Sequence, residues 1–271
     1  TFLPFGELAR ALAATKPTIW FLDDLGQAPP SVQASFMQLL LARRVNGHVL
    51  PDCVTFIAAT NRRTDRAGVS GILEPVKSRF GAIVDLEPDV DEWCQWALAQ
   101  DFIPPELVAY IRFQPDELNQ FVPSADLVNC PLPRTWAHAG RLLKLGLPAD
   151  VEAQAIAGAI GEGAAGKLLA FIQMYRQLPS IDGILLDPDA AQIPTTTSVL
   201  YAVATGLAVR ANEKNFGRVI RFAERLEETA HGEFATLLVR DAVRRMPALQ
   251  QTPEFVKLMS GPLGALIGGG R

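Results

Sequence analysis

The stretch TIWFLDDLGQAPPSVQASFMQLLLARRVNGHVLP, residues 18–51, decides how the chain is read. Its first part, TIWFLDDL, is an apolar run closed by two acids, the pattern of a buried parallel strand whose carboxyl end meets solvent. Val32, Phe36, Leu39 and Leu40 then recur at helical spacing, and Pro29 and Pro30 suit the first turn of that helix. Asn46-Gly47 follows, the pair that best fits a two-residue hairpin turn, because both positions need positive φ. Beyond it, CVTFIAATN (53–61) predicts a second buried strand ending in polar residues, and GAIVDLEP (81–88) a third, shorter one. Alternating strands and helices with polar strand ends imply an α/β fold with a parallel sheet, its site at the carboxyl edge.

Past Pro88 the strand signal fades. DEWCQWALAQ (91–100), PPELVAYIRF (104–113), PRTWAHAGRLLKLG (133–146) and residues 149–178 all read as helices. LPSIDGILLDPDAAQIPTTT (178–197), rich in Pro and Asp, reads as a loop before a last helical region over 197–259, and the tail GPLGALIGGGR (261–271) is expected to fray. The expected organisation is therefore an α/β part over 1–88, a helical part over 89–180 and a helical extension over 181–271. Trp93, Trp96 and Trp136 are expected in the helical core, and His48 exposed on the hairpin.

Composition narrows the function. A net charge of −4 gives no global basic field for nucleic acid. Three scattered cysteines, Cys53, Cys94 and Cys130, with three histidines form neither a zinc pattern nor a disulfide framework, which fits a reducing cytoplasm. No apolar run reaches membrane-spanning length, and no signal peptide is visible. Gly161–Lys167 within GAIGEGAAGKLLAF (158–171) spells G-x-x-x-x-G-K. A phosphate-cradling loop lies between a strand and a helix and carries Ser or Thr after its Lys. Here Leu168 follows, and the preceding VEAQAIAGAIG is Ala-rich and helical, so the segment reads as two helices in contact.

Taken in order, Asp23 and Asp24 closing the first strand, Asn61 closing the second, Arg79 in SRF and Arg134 near a helix start resemble the AAA+ ATPases. FLDDLGQAPPSVQASFMQLLLARRVNGHVLP, FIAATNR and PRTW resemble more narrowly the MoxR-type branch, in which a β-hairpin precedes the second strand. The resemblance covers residues 1 to about 180. It implies that the α/β part is a portion of a nucleotide-binding core and the first helical part a lid. It further implies ATP and Mg²⁺ as cofactors, with Asp23 holding the metal through water and Asp24 orienting the attacking water. Asn61 would act as sensor 1 on that water or the γ-phosphate, Arg79 as a finger reaching into a neighbouring subunit, and Arg134 as sensor 2 on the lid. The family usually carries Glu where Asp24 stands, one methylene longer, which puts the hydrolysis rate in question.

The family's phosphate loop precedes the acid-tipped strand by a β-α-β segment of about 30 residues or more, and twenty-two residues precede Asp23 here. It is expected either upstream of Thr1 or missing from a degenerate partner, and the chain as it stands is expected to bind ATP very weakly. The implied partners are further copies in a ring, commonly of six subunits, and a protein substrate, often one with a von Willebrand A domain. Two rival readings are a non-catalytic assembly subunit and a DNA-directed motor, the latter disfavoured by the acidic balance. Arg62, Arg63 and Arg66 form a basic cluster that either contacts a polymer or pairs with acids. Arg43 and Arg44 either face a neighbour's nucleotide or end a solvated helix.

Overall fold

The structure is a computed structural model and describes residues 3–62, 71–124, 126–176 and 180–268. Two compact units divide the chain, Thr1–Leu86 and Glu87–Arg271. The first is mixed α/β around a small parallel sheet, and the second is helical.

In the first unit, helix α1 (Gly6–Leu12) leads to β1 (Thr18–Leu22), a short 3₁₀ turn (Leu25–Gln27) and α2 (Pro30–Ala42). Strands β2 (Arg44–Val45) and β3 (His48–Val49) make the hairpin, and β4 (Val54–Ala58) and α3 (Glu74–Lys77) complete the unit. β1 and β4 pair in parallel, with Thr18 opposite Val54 and Leu22 opposite Ala58. The hairpin turn is as the sequence implies, with Asn46 at φ 46° and Gly47 at φ 86°. Trp20 faces its registered partner Phe56 with ring centroids 5.8 Å apart. Both rings pack on a small core of Ala11, Leu39 and Leu50, joined by Leu8, Leu12, Phe36 and Val45. That core occupies one face of the sheet. Side chains alternate along a strand, and the opposite face leaves Ile19, Phe21 and Ile57 exposed at 64%, 54% and 47%.

The third strand expected over 81–88 does not form. Residues 82–88 carry no regular structure, and Ile83, Val84 and Leu86 are exposed. Strand preference in Ile and Val expresses packing against neighbours rather than a backbone habit, and this segment pairs with neither strand of the β1–β4 sheet.

The helical unit runs α4 (Val90–Leu98), α5 (Pro105–Phe113), α6 (Pro133–Leu143), α7 (Ala149–Ile160), α8 (Glu162–Arg176), α9 (Ile181–Leu186), α10 (Thr197–Arg210), α11 (Phe216–Glu227), α12 (Gly232–Arg245), α13 (Pro253–Met259) and α14 (Pro262–Gly268). Helix α9 occupies Ile181–Leu186 within the stretch expected as a loop over 178–197. Ser180 caps it by accepting from the Gly183 N–H at 3.3 Å, and Ile184 and Leu185 are buried. One face of α11 then grips the turn beyond α9. Arg218 donates to the Leu185 carbonyl, Arg221 pairs with Asp189, and Arg225 donates to the Pro188 and Ala191 carbonyls. The tail expected to fray is helical through Gly268, anchored by buried Leu263. Trp93 and Trp136 are core residues, whereas Trp96 is 44% exposed. His48 is half-buried rather than exposed.

Two apolar clusters fill this unit, one on α4–α8 around Trp136, Tyr110 and Leu168, the other on α9–α14 around Phe216, Phe222 and Leu238. They adjoin at α10, where Tyr201 packs against both. At the same junction Arg112 of α5 forms a two-pronged pair with Asp241 of α12, its Nη2 lying 2.9 Å from Oδ1, and also donates to the Thr205 hydroxyl of α10 at 3.3 Å. Burial disfavours charge on both members. On Arg112 the pull of Asp241 outweighs it and raises the pKa, whereas on Asp241 burial wins and pushes the carboxyl up.

Removing one partner strands a buried charge, so Asp241→Leu should lower stability by about 3–5 kcal/mol in urea denaturation, and adding Arg112→Met should recover most of that. Burial also pushes the Cys94 thiol up from 9.0 to about 12. Between those values the unfolded chain has lost the thiol proton that the folded chain keeps, so the associated stability is present below pH 9 and lost as pH rises towards 12. The urea midpoint should accordingly fall across that alkaline window.

Candidate functional site

The carboxyl edge of the β1–β4 pair gathers three of the residues singled out above. The ladder continues past the strands: the Ala59 N–H donates to the Leu22 carbonyl at 3.0 Å and the Leu25 N–H to the Ala59 carbonyl at 3.0 Å. Asp23 and Asp24 therefore leave β1 where Ala59, Thr60 and Asn61 leave β4, on the same edge. All three of Asp23, Asp24 and Asn61 are exposed.

Asp24 stands in the left-handed region, φ 52° and ψ 34°. Few residues other than glycine adopt it, and Asp and Asn do so more readily because a short polar side chain bonds locally. Local bonds are present: the Asp24 N–H donates to Asp23 Oδ1 at 3.1 Å, and Gln27 Nε2 donates to Asp24 Oδ1 at 3.3 Å.

Arg79 follows α3. Its N–H donates to the Val76 carbonyl at 3.1 Å, and its guanidinium turns back onto the carbonyl of Pro75. Its buried Nε has no partner among the described residues. The helix that leads to it is pinned by a side chain the sequence reading passed over. Gln33 of α2 is fully buried; its Nε2 donates to the Ala28 and Gly71 carbonyls, both at 2.9 Å, and its Oε1 accepts from the Leu73 N–H at 3.0 Å. The available signal was a polar residue on the apolar stripe of a helix, at positions 33, 36 and 40.

Arg43 is a half-buried helix end whose guanidinium is turned onto backbone of its own unit. At φ 53° it terminates α2, and its Nη2 donates to the carbonyls of Pro51 at 2.6 Å and Val54 at 2.7 Å. It thereby fastens the hairpin to the start of β4. Arg44 is exposed within β2. Of the basic cluster, Arg62 is exposed, and Arg63 and Arg66 lie outside the described residues.

Arg134 belongs to the helical unit. It occupies the first turn of α6, exposed, beside a capping arrangement in which Thr135 Oγ1 accepts from the Leu132 N–H at 2.8 Å. The G-x-x-x-x-G-K segment forms a corner between α7 and α8, turned by Gly161 at φ 82°. Lys167 sits inside α8 and pairs with Glu117 at 2.5 Å.

The edge suits a hydrated cation held with a phosphate ligand. Mg²⁺ takes one or two carboxylates and fills its other positions with water and phosphate oxygens, and Asp23 and Asp24 are two exposed carboxylates, each with Oδ1 engaged locally, while the Asn61 amide follows the adjoining strand. A self-sufficient metal cage is a different matter: no group of three or more His, Cys, Asp or Glu is gathered for one among the described residues. No helix among the described residues is long and apolar enough to cross a membrane. Comparison with protein-family models, with curated proteins and with solved structures returned no match.

Removing the Arg43 guanidinium leaves two part-buried carbonyls without their charged donor. Arg43→Ala should cost on the order of 2–3 kcal/mol in the unfolding of the first unit, followed by Trp20 fluorescence in urea. Arg43→Lys should restore only part of it, since one ammonium on a flexible stem replaces a planar fork.

Proposed function

We propose that the chain is the greater part of a MoxR-type AAA+ ATPase, a ring-forming, chaperone-like protein that uses ATP hydrolysis to remodel a protein partner. The observation carrying this reading is the shared carboxyl edge. A parallel pair, with a hairpin between its strands in sequence, delivers Asp23, Asp24 and Asn61 to one place, in the order that the resemblance requires. Phosphoryl transfer asks a protein mainly for positioning and charge stabilisation, and these residues supply both.

In this reading Asp23 holds Mg²⁺ through water, and Asp24 accepts a hydrogen bond from the attacking water and orients it. Asn61, from the segment that follows the adjoining strand, donates to the same water or to the γ-phosphate. Arg79 serves the neighbouring subunit, where a guanidinium in trans stabilises charge that develops in the transition state. Arg134, on the helical unit, adds a phosphate contact when that unit closes. Bound Mg²⁺-ATP supplies the transferable phosphoryl group. The ring, commonly six copies, and a substrate protein or von Willebrand A-type partner belong to the same proposal, as does a cytoplasmic location.

A second reading has its own support. The Asp24 carboxylate is engaged by Gln27, and the Arg79 guanidinium rests on its own helix. Both suit a non-catalytic subunit that keeps the fold and shapes an assembly. A full-length protein without turnover of its own, which alters the turnover of an active partner, would favour that alternative.

The experiment is ATP turnover by the full-length protein. Asn tolerates the left-handed backbone that Asp24 adopts, so Asp24→Asn should preserve folding and nucleotide binding while kcat falls about 100-fold or more. Arg79→Ala should lower kcat by about 1,000-fold in the assembled ring. Turnover surviving both substitutions would overturn the assignment.

A further inference from the structure

Gln33 links the two arms of the site. Towards one arm its amide holds the carbonyl of Ala28 at 2.9 Å. Ala28 closes the 3₁₀ turn that follows Asp23 and Asp24, and Gln27 of that turn touches Asp24. Towards the other arm it holds the Gly71 carbonyl at 2.9 Å and the Leu73 N–H at 3.0 Å. Leu73 is the N-cap of α3, and its carbonyl accepts from the N–H groups of Val76 at 2.8 Å and Lys77 at 3.0 Å. Arg79 in turn donates its N–H to the Val76 carbonyl at 3.1 Å. Hydrogen-bonded backbone therefore runs unbroken from the Gln33 amide to the residue carrying the arginine.

A buried amide is costly unless its polar atoms are bonded. Here both carbonyl partners and the N–H partner are backbone, so the side chain fixes the course of the chain rather than another mobile group. Two of its three bonds fall on Gly71 and Leu73, 38 and 40 residues away in sequence. A helix and a loop that must merely pack could be joined by a leucine. Three bonds from one planar amide fix translation and rotation together.

Resting on the ATPase reading, we infer that Gln33 is a positioning residue that sets the place of Arg79 relative to Asp23 and Asp24 of the same subunit. Because Arg79 acts on the neighbour in that reading, Gln33 ties the site a subunit uses to the finger it lends. Its loss frees the Gly71 and Leu73 backbone that leads to the lent finger, whereas on the other arm it removes only the bond to Ala28, and the ladder bonds among Leu22, Ala59 and Leu25 still hold the subunit's own carboxylates and Asn61.

Gln33→Met keeps the side-chain volume and removes every bond, and it is tested in the full-length assembled protein with ATP as substrate. Misplacing the finger should lower kcat about tenfold to a hundredfold with KM for ATP changed by less than about twofold. The Leu73 amide should lose its protection from hydrogen exchange. Rings mixed from Gln33→Met and Asp24→Asn subunits should regain turnover above that of either alone. In such rings, intact carboxylates of the first variant meet intact fingers of the second. An unchanged kcat overturns the inference, and so does a fall that mixing fails to relieve or that comes with a matching rise in KM, since a merely structural defect gives those results. Undiminished turnover in Asp24→Asn alone strikes the ATPase reading itself, and the role given to Gln33 falls with it.

Discussion

The parallel ladder of β1 and β4 is the constraint on which the first unit turns. Five registered pairs, from Thr18–Val54 to Leu22–Ala58, fix where each strand ends. The bonds beyond the strands, between Leu22, Ala59 and Leu25, carry that register into the loops. A slip of one residue would turn Trp20 and Phe56 from the core face to the open face and separate the acids from Asn61 in the same movement. Burial of two aromatic rings thus specifies the geometry of an exposed polar edge. Two strands alone bury little, and the remaining support comes from side chains that bind backbone: Arg43 on Pro51 and Val54, and Gln33 on Ala28, Gly71 and Leu73.

In the helical unit the corresponding element is the Arg112–Asp241 pair. It spans 129 residues of sequence and joins helices of the two apolar clusters at the point where Thr205 of the intervening α10 also contributes. An isolated charge pair gains little from burial, because desolvation offsets the attraction. What it does supply is directional fixing between α5 and α12 across a junction that apolar packing alone would allow to slide. Under the ATPase reading, any motion of the helices around Arg134 would therefore be shared by α9–α14, and the extension would act as part of the lid.

What was legible in the sequence was local. The acid-tipped run at 18–25, the proline-initiated helix and the Asn46-Gly47 turn each announce themselves within a few residues, because each rests on backbone preference or short-range periodicity. The edge grouping of Asp23, Asp24 and Asn61 followed, since parallel strands present their carboxyl ends together. Interactions made at distance left no such trace. Gln33 resembled an ordinary helix residue until its partners 38 and 40 positions on were placed, and Arg43 looked like a helix end because its acceptors lie across the hairpin. The segment 81–88 failed in the opposite sense: its composition suited a strand, but a strand needs a neighbouring edge as well as the right residues. Helix α9 was hidden by Pro188, which stands just past it rather than within it.

Under the ATPase reading, Asp stands at position 24 where the family the sequence resembles usually has Glu, and the backbone gives a reason for the shorter acid. A residue held at φ 52° pays a steric cost that Asp and Asn meet more cheaply than longer side chains, by bonding to groups one to three residues away. The Asp24 carboxylate does so through Gln27, whereas the bond from its backbone N–H to Asp23 would serve any residue at this position. A glutamate at the same φ would carry its carboxyl beyond this local set and lose the compensation. The shorter acid and the left-handed turn are thus two aspects of one local solution, in which the side chain tolerates the turn. On this account the departure at position 24 follows from the course of the chain after β1, and it is not by itself a sign that the acid has lost its work. The opposing fact lies in the same geometry, since Gln27 holds one of the two carboxylate oxygens. The Gln27 bond is long, at 3.3 Å, and exposed, and a bond of that kind exchanges with water at little cost.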